Sequence, residues 1–158
     1  MASEAIFDRN RNSTLTEVGA LIVNDDGRVF VQRRSKSRGL FPGAWDIAGG
    51  AVEEGESAID ALSREIVEET GWTLAEVLHE FSAREWSGGS RTHVEADFIV
   101  RVAGDLDNPR LESEKHDDYR WIGPDDIGLL EVSAEHTSSD FILRLVSDSF
   151  SWLESNPW

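Results

Sequence analysis

The sequence predicts an α/β domain in which a mixed β-sheet packs between helices, and three observations carry that expectation. Strand-type and helix-type segments follow one another in the order β-β-β-α-β-β-β-α. The chain has 158 residues, 39% of them hydrophobic and 29% charged, enough for one domain with a real core. No internal repeat, low-complexity tract or linker interrupts it, so residues 1–158 are expected as a single domain, with 1–14 as a flexible N-terminal segment.

Residues 18–24 (VGALIVN) are apolar and β-branched, residues 28–33 (RVFVQR) alternate, and Asp25-Asp26-Gly27 between them supplies the turn of a hairpin. Residues 35–43 are polar, are punctuated by Gly39 and Pro42, and read as a loop. Trp45-Asp46-Ile47 is a short strand expected to run into a tight turn at Gly49-Gly50. Over 57–70, Ile59, Leu62 and Ile66 recur at helical spacing, and Gly71 stands where a helix C′ residue belongs. Residues 74–86 and 92–102 read as two strands around Ser87-Gly88-Gly89-Ser90. A short strand at 119–122, a helical turn at 124–130 and a helix over 138–153 complete the pattern.

Composition excludes several function classes. Without Cys there is no disulfide, thiolate metal site or catalytic thiol. Acids exceed bases by 31 to 15, a formal charge of -16, and such a surface repels duplex nucleic acid. No stretch is apolar enough for a membrane span and residues 1–14 lack a secretory pattern, so a cytoplasmic setting is expected.

The acids are also unevenly spread. Glu65, Glu68 and Glu69 stand at i, i+3 and i+4, within an arc of about 100° on a helix. Three carboxylates on one face repel one another, and toward a helix C-terminus the dipole disfavours them further. On charge alone this reads as a solvated acidic face. No cation of its own is apparent on the face, and a hard divalent ion such as Mg²⁺ or Mn²⁺ would remove both penalties.

Spacing changes that weighing. Gly50, Glu56 after five residues, and Arg64-Glu65 after seven more lead into Ile66, Glu68-Glu69, Gly71 and Trp72. This run resembles the Nudix box of the Nudix hydrolases, the one soft departure being Trp72 where a bulky aliphatic residue is usual. The resemblance extends to Trp45 through Gly50, to Arg33-Arg34-Ser35 and Phe41-Pro42-Gly43 upstream, and to Arg120-Trp121-Ile122 with Pro124 through Ile127 downstream. It implies an α/β/α sandwich and hydrolysis of a nucleoside diphosphate linked to another moiety.

By position, the resemblance implies Glu65, Glu68 and Glu69 as metal ligands, with a backbone carbonyl from Gly50. Glu56 would add a ligand or polarise a water, and Arg64 would hold Glu56 or a neighbouring carboxylate in register. Glu68, Glu69 or an acid within 112–118 would serve as general base. Arg33, Arg34 and Arg38 are candidates to grip a terminal phosphate, and Asp118 and Trp121 to contact substrate. Trp45 and Trp86, like Trp121, are candidates to stack on a base, though aromatic residues in strands usually belong to the core. His116 reads as a solvated loop residue, and His79, His93 and His136 as structural or surface residues.

Subfamily marks mainly exclude. The single Tyr is Tyr119 and no Pro lies between Pro42 and Pro109, so the marks of diadenosine polyphosphate and ADP-ribose hydrolases are missing. The NADH hydrolase element is absent too, and an isopentenyl diphosphate isomerase would need a catalytic Cys. The expected substrate is a nucleoside triphosphate or related small diphosphate, with no duplex nucleic acid and no membrane as partner and a homodimer left open. A non-catalytic ligand-binding domain of the same fold is the alternative reading, and the intact set of carboxylates speaks against it.

Overall fold

The computed structural model describes residues 15–39 and 41–157, so the expected flexible segment 1–14 lies outside the described residues. The strands are β1 (Glu17–Ile22), β2 (Val29–Arg34), β3 (Trp45–Asp46), β4 (Ala48–Ala51), β5 (Thr73–Glu80), β6 (Arg84–Gly88), β7 (Arg91–Ala103) and β8 (His116–Ile122). The helices are α1 (Ala58–Thr70), α2 (Gly128–Thr137) and α3 (Phe141–Ser155), with a 3-10 turn at Pro124–Asp126. No helix among the described residues is long and apolar enough to cross a membrane.

Burial along β1 shows why the fold is layered. Val18, Ala20 and Ile22 face one side and Leu21 the other, and all four are buried. A strand apolar on both faces has to be covered twice. One cover is α1, whose Ala58, Ala61, Leu62 and Ile66 join Val18, Ala20, Phe98 and Val100. The other brings Leu130 of α2 and Leu145 and Val146 of α3 against Leu21, Ile47 and Ile99. This is the α/β/α sandwich that the resemblance implies.

The strands divide between two sheets. A five-stranded mixed sheet has the order β4-β1-β7-β5, with β6 also on β7, and its one parallel pair is β1 with β7. An antiparallel sheet has the order β3-β2-β8. The hairpin expected at Asp25-Asp26-Gly27 therefore closes only at its base, through a single bridge between Val23 and Val29, before its arms part into different sheets. Gly49-Gly50 is strand, not turn: β3 pairs with β2, β4 pairs with β1, and Ile47 alone separates the two pairings. The single strand expected over 74–86 breaks into β5 and β6, which pair with opposite halves of β7. Helix α2 runs to Thr137, where the sequence showed only a helical turn, because a single residue of it, Leu130, is fully buried.

Two acids break the apolar pattern of β7. Glu95 and Asp97, 7% and 0% exposed, lie over Gly19 of β1, where a Cβ would stand 2.8 Å from Glu95 Oε2. Glu95 Oε1 accepts from Trp86 Nε1 at 3.1 Å, while neither oxygen of Asp97 meets a donor among the described residues. Burial pushes both carboxyls up, and their mutual repulsion adds to the rise at Glu95. A proton shared between them satisfies the pair. Unfolded, both ionise near their ordinary values, so unfolding above about pH 4 releases a proton and stability falls as pH rises. Asp97→Asn, which gives Glu95 an amide donor at every pH, is expected to flatten this fall. Its melting temperature at about pH 8 should exceed wild type by at least about 3 °C, against little difference at about pH 4.5, as calorimetric scans would check.

Candidate active site

Helix α1 begins and ends where its own residues dictate. Ser57 caps it, its hydroxyl accepting from Asp60 N–H at 3.1 Å, and Gly71 ends it in the left-handed region at φ 78°, its N–H bonded to Val67 O. The acidic edge of the helix lies against β4, where Gly50 permits that approach while Gly49 lets β4 lie close on β1. Gly49 has φ 154° and no room for a side chain, since a Cβ would come within 2.9 Å of Gly19 Cα. A Cβ on Gly50 would stand 2.6 Å from both carboxylate oxygens of Glu65.

The three carboxylates read as one face differ in environment. Glu65 and Glu69 are buried at 8% and 5% exposure, whereas the Glu68 side chain is 44% exposed. Glu69 Oε1 accepts from Gly49 N–H at 2.8 Å and from Gln32 Nε2 at 3.1 Å, and no donor among the described residues reaches Oε2. Burial pushes Glu69 up to about 8, and the neighbouring Glu65, Asp46 and Glu112 add to the rise. Burial also raises Glu65, against the pull of Arg64.

Arg64, named above beside Glu56, also supplies a cation to this face. Its Nε and Nη2 donate to the two oxygens of Glu56 at 2.8 and 2.9 Å, a bidentate pair. Nη1 donates to Glu65 at 2.8 Å and to Glu68 at 3.3 Å, and Nη2 also reaches the carbonyl of Ala51. The Arg64 guanidinium, helped by Glu53 N–H, holds Glu56 down at about 2. Arg64 in turn is raised, first by Glu56. Glu68 is thus drawn toward Arg64, and no three His, Asp or Glu side chains among the described residues stand together as a ready-made metal-ligand set.

Glu69, Gly49 and Gly50 line a cavity of about 280 Å³ between the strand segment β3–β4 and helices α2 and α3. Arg34, Arg38, Asp46 and His116 line it as well, and farther along come Trp86, His93, Glu95, Phe41 and Phe141. Arg34 Nη1 pairs with Asp46 at 3.1 Å, and burial outweighs that pairing to raise Asp46. Trp86 stacks on His93 with centroids 3.9 Å apart, and His93 Nδ1 lies 2.9 Å from Glu17 Oε2.

Of the residues named from sequence, Glu56, Arg64, Glu65 and Glu68 join in one ion-pair network beside Gly50, whereas Gly50, Glu69, Arg34 and Arg38 line the cavity. Arg33 does not line the cavity; it pairs with Asp117 at 2.7 Å on the outside. Asp118 caps its neighbour Tyr119, and Trp121 packs against Phe30 and Trp72 with Nε1 on Leu106 O, both away from the cavity. His116 corrects the expectation of a solvated loop residue: it is 2% exposed in the cavity wall. Gln32 and Asp46 went unread. The alternation over 28–33 puts Gln32 in phase with buried Phe30, and a polar residue at a core-facing position is the signal that marks it. For Asp46 the sequence offers no comparable signal.

A family model, NUDIX domain, matches residues 14–145. The nucleoside triphosphatase NudI of Escherichia coli K12 is 34% identical over 115 residues, covering 67% of this chain and 80% of that protein. Among solved structures, a NUDIX hydrolase from Nitrosomonas europaea aligns with TM-score 0.69 at 23% identity, over 89% of this chain and 90% of its own. The MutT protein of Methanosarcina mazei Go1 aligns with TM-score 0.62 at 22% identity, over 91% and 96%. The two structures share the fold, the family model spans most of the chain, and the chain belongs to the Nudix hydrolases.

Proposed function

We propose that the chain is a Mg²⁺- or Mn²⁺-dependent pyrophosphohydrolase acting on a nucleoside triphosphate or a related small diphosphate. The observation that carries this is the pair of buried carboxylates, Glu65 and Glu69, pressed against Gly49-Gly50, with Glu69 in the wall of a cavity large enough for part of a nucleotide. Likeness to a relative named as a nucleoside triphosphatase supports the substrate class.

The donors suit a hard divalent ion. Glu69 is buried with one oxygen met by no donor among the described residues, and burial resists its charge, which a cation would relieve. Glu65, Glu69 and the carbonyl of Gly50 would hold the ion, with Glu68 joining as it leaves Arg64. Such an ion would offset phosphoryl charge and lower the pKa of nearby water. Glu56 is fixed as a carboxylate by the bidentate Arg64, so the pair positions Glu65 and does not trade protons itself. Arg34, on the cavity wall beside Asp46, is placed to bind a phosphoryl oxygen. Trp86 and Phe41 offer aromatic surface to the nucleoside end.

Three outcomes are expected. Glu69→Gln should lower kcat about 10²–10³-fold, and EDTA should abolish wild-type turnover, both measured as phosphate or pyrophosphate release from a nucleotide panel. Full activity in either would sink the proposal. Mg²⁺ should raise the wild-type melting temperature. Glu65→Gln combined with Glu69→Gln should lose that response while the metal-free protein melts no lower than wild type. Retention of the Mg²⁺ response would put the metal elsewhere. In oxygen-18 water the label should enter a phosphoryl product, with nucleoside monophosphate and pyrophosphate as the pair formed. Label on a carbon would mean a different reaction.

A further inference from the structure

The end of the cavity around Trp86 carries groups that the phosphoryl chemistry does not use. Trp86 of β6 and His93 of β7 are direct cross-strand partners, and their rings stack with centroids 3.9 Å apart and planes 12° from parallel. His93 is fixed there, since Nδ1 lies 2.9 Å from Glu17 Oε2 and Nε2 lies 3.1 Å from Gly88 O. It covers one face of the indole. Phe41 and Phe141 stand 6.4 and 6.2 Å from Trp86, tilted at 47° and 46°, so no second ring among the described residues stacks on it. Trp86, His93, Phe41 and Phe141 all line the cavity.

Glu95 is the polar group beside this ring. It is 7% exposed and lines the cavity, and Trp86 Nε1 donates to its Oε1 at 3.1 Å, which holds the carboxyl at the edge of the indole. No N–H or hydroxyl donor among the described residues reaches Oε2. Asp97 follows on the same face of β7, fully buried, and Gly19 of β1 leaves both carboxyls room where a side chain would collide with them. With one proton held between the pair, the lone pairs left over are acceptors. The ring nitrogens around them are spent, Trp86 Nε1 on Glu95 and those of His93 on Glu17 and Gly88. Aromatic surface with carboxyl oxygens at its edge suits a flat ligand that brings N–H donors.

We infer that this end of the cavity selects the base of the nucleotide, with Trp86 stacking on it and the Glu95 carboxyl accepting from an exocyclic amino group. The inference rests on the proposed hydrolase reading and narrows its substrate class to bases that carry an amino group, over keto counterparts such as uracil and hypoxanthine. An amino group brings two N–H donors to these acceptors. A carbonyl oxygen in its place would face the carboxyl oxygens with no hydrogen between them, leaving both desolvated and unpaired.

Bare nucleosides test this without phosphate, metal or turnover. In NMR chemical-shift titrations of the full chain, the amino member should bind about tenfold tighter in at least one of two pairs, cytidine against uridine and adenosine against inosine. Glu95→Met, close in volume but without the carboxyl, should erase the preference. Asp97→Asn, which leaves Glu95 its acceptors, should keep it. If Glu95→Met does not fold, Trp86→Phe serves instead: it keeps a ring, loses the N–H that holds the carboxyl, and should narrow the preference. Failure of every nucleoside to bind, keto members bound as tightly as amino ones, or a preference undiminished in the folded variant overturns the inference and leaves the hydrolase reading to its oxygen-18 test. A chain that cleaves no nucleotide yet shows the Glu95-dependent preference keeps the subsite and loses the hydrolase reading.

Discussion

The bond from Gly49 N–H to Glu69 Oε1 is the contact on which the site depends. It ties the last turn of α1 to β4 and brings a carboxylate into the core beside a strand that has no side chains there to obstruct it. Everything else at the site follows from that closeness. Glu65, one turn earlier on the same face, comes against Gly50. Gln32 reaches the same Glu69 oxygen from the other sheet, so one carboxylate is clasped by a helix, two sheets and a backbone amide. A side chain at Gly49 would force β4 away from β1, which links the site to the order of the large sheet.

Charge around this contact is settled by one residue. Arg64 addresses Glu56, Glu65 and Glu68 together with the carbonyl of Ala51, yet it leaves Glu69 alone. The outer carboxylates are thereby neutralised within the protein, and the innermost is left with amide donors only. The innermost carboxylate therefore lies in the cavity wall with its charge resisted by burial and met by no guanidinium among the described residues.

What could be read from the sequence was local. The fixed spacing from Gly50 to Trp72 gave the family resemblance, and Ser57 and Gly71 bound the helix because caps act within a turn of their own position. The two-sheet division was not legible. Strands of either sheet look alike in alternation, and nothing in Trp45 through Ala51 announces that the chain changes partners at Ile47. Helix α2 was truncated because most of its residues face away from the core, which removes the apolar period. His116 and the Glu95–Asp97 pair were missed for a shared reason. A polar residue is presumed solvated until tertiary packing covers it, and the covering segments lie far away in sequence.

The continuous segment from Trp45 to Ala51 has a consequence for how the protein comes apart. Its first two residues belong to one sheet and its last four to the other, so neither sheet can peel from its neighbour without pulling on a strand of both. Subglobal openings that release only the small sheet, or only the edge of the large one, are penalised, and the domain is tied into one cooperative unit. Slow amide exchange should therefore extend across Ile47 without a break, and the site built on this segment inherits the rigidity of the whole core instead of the looseness of an edge.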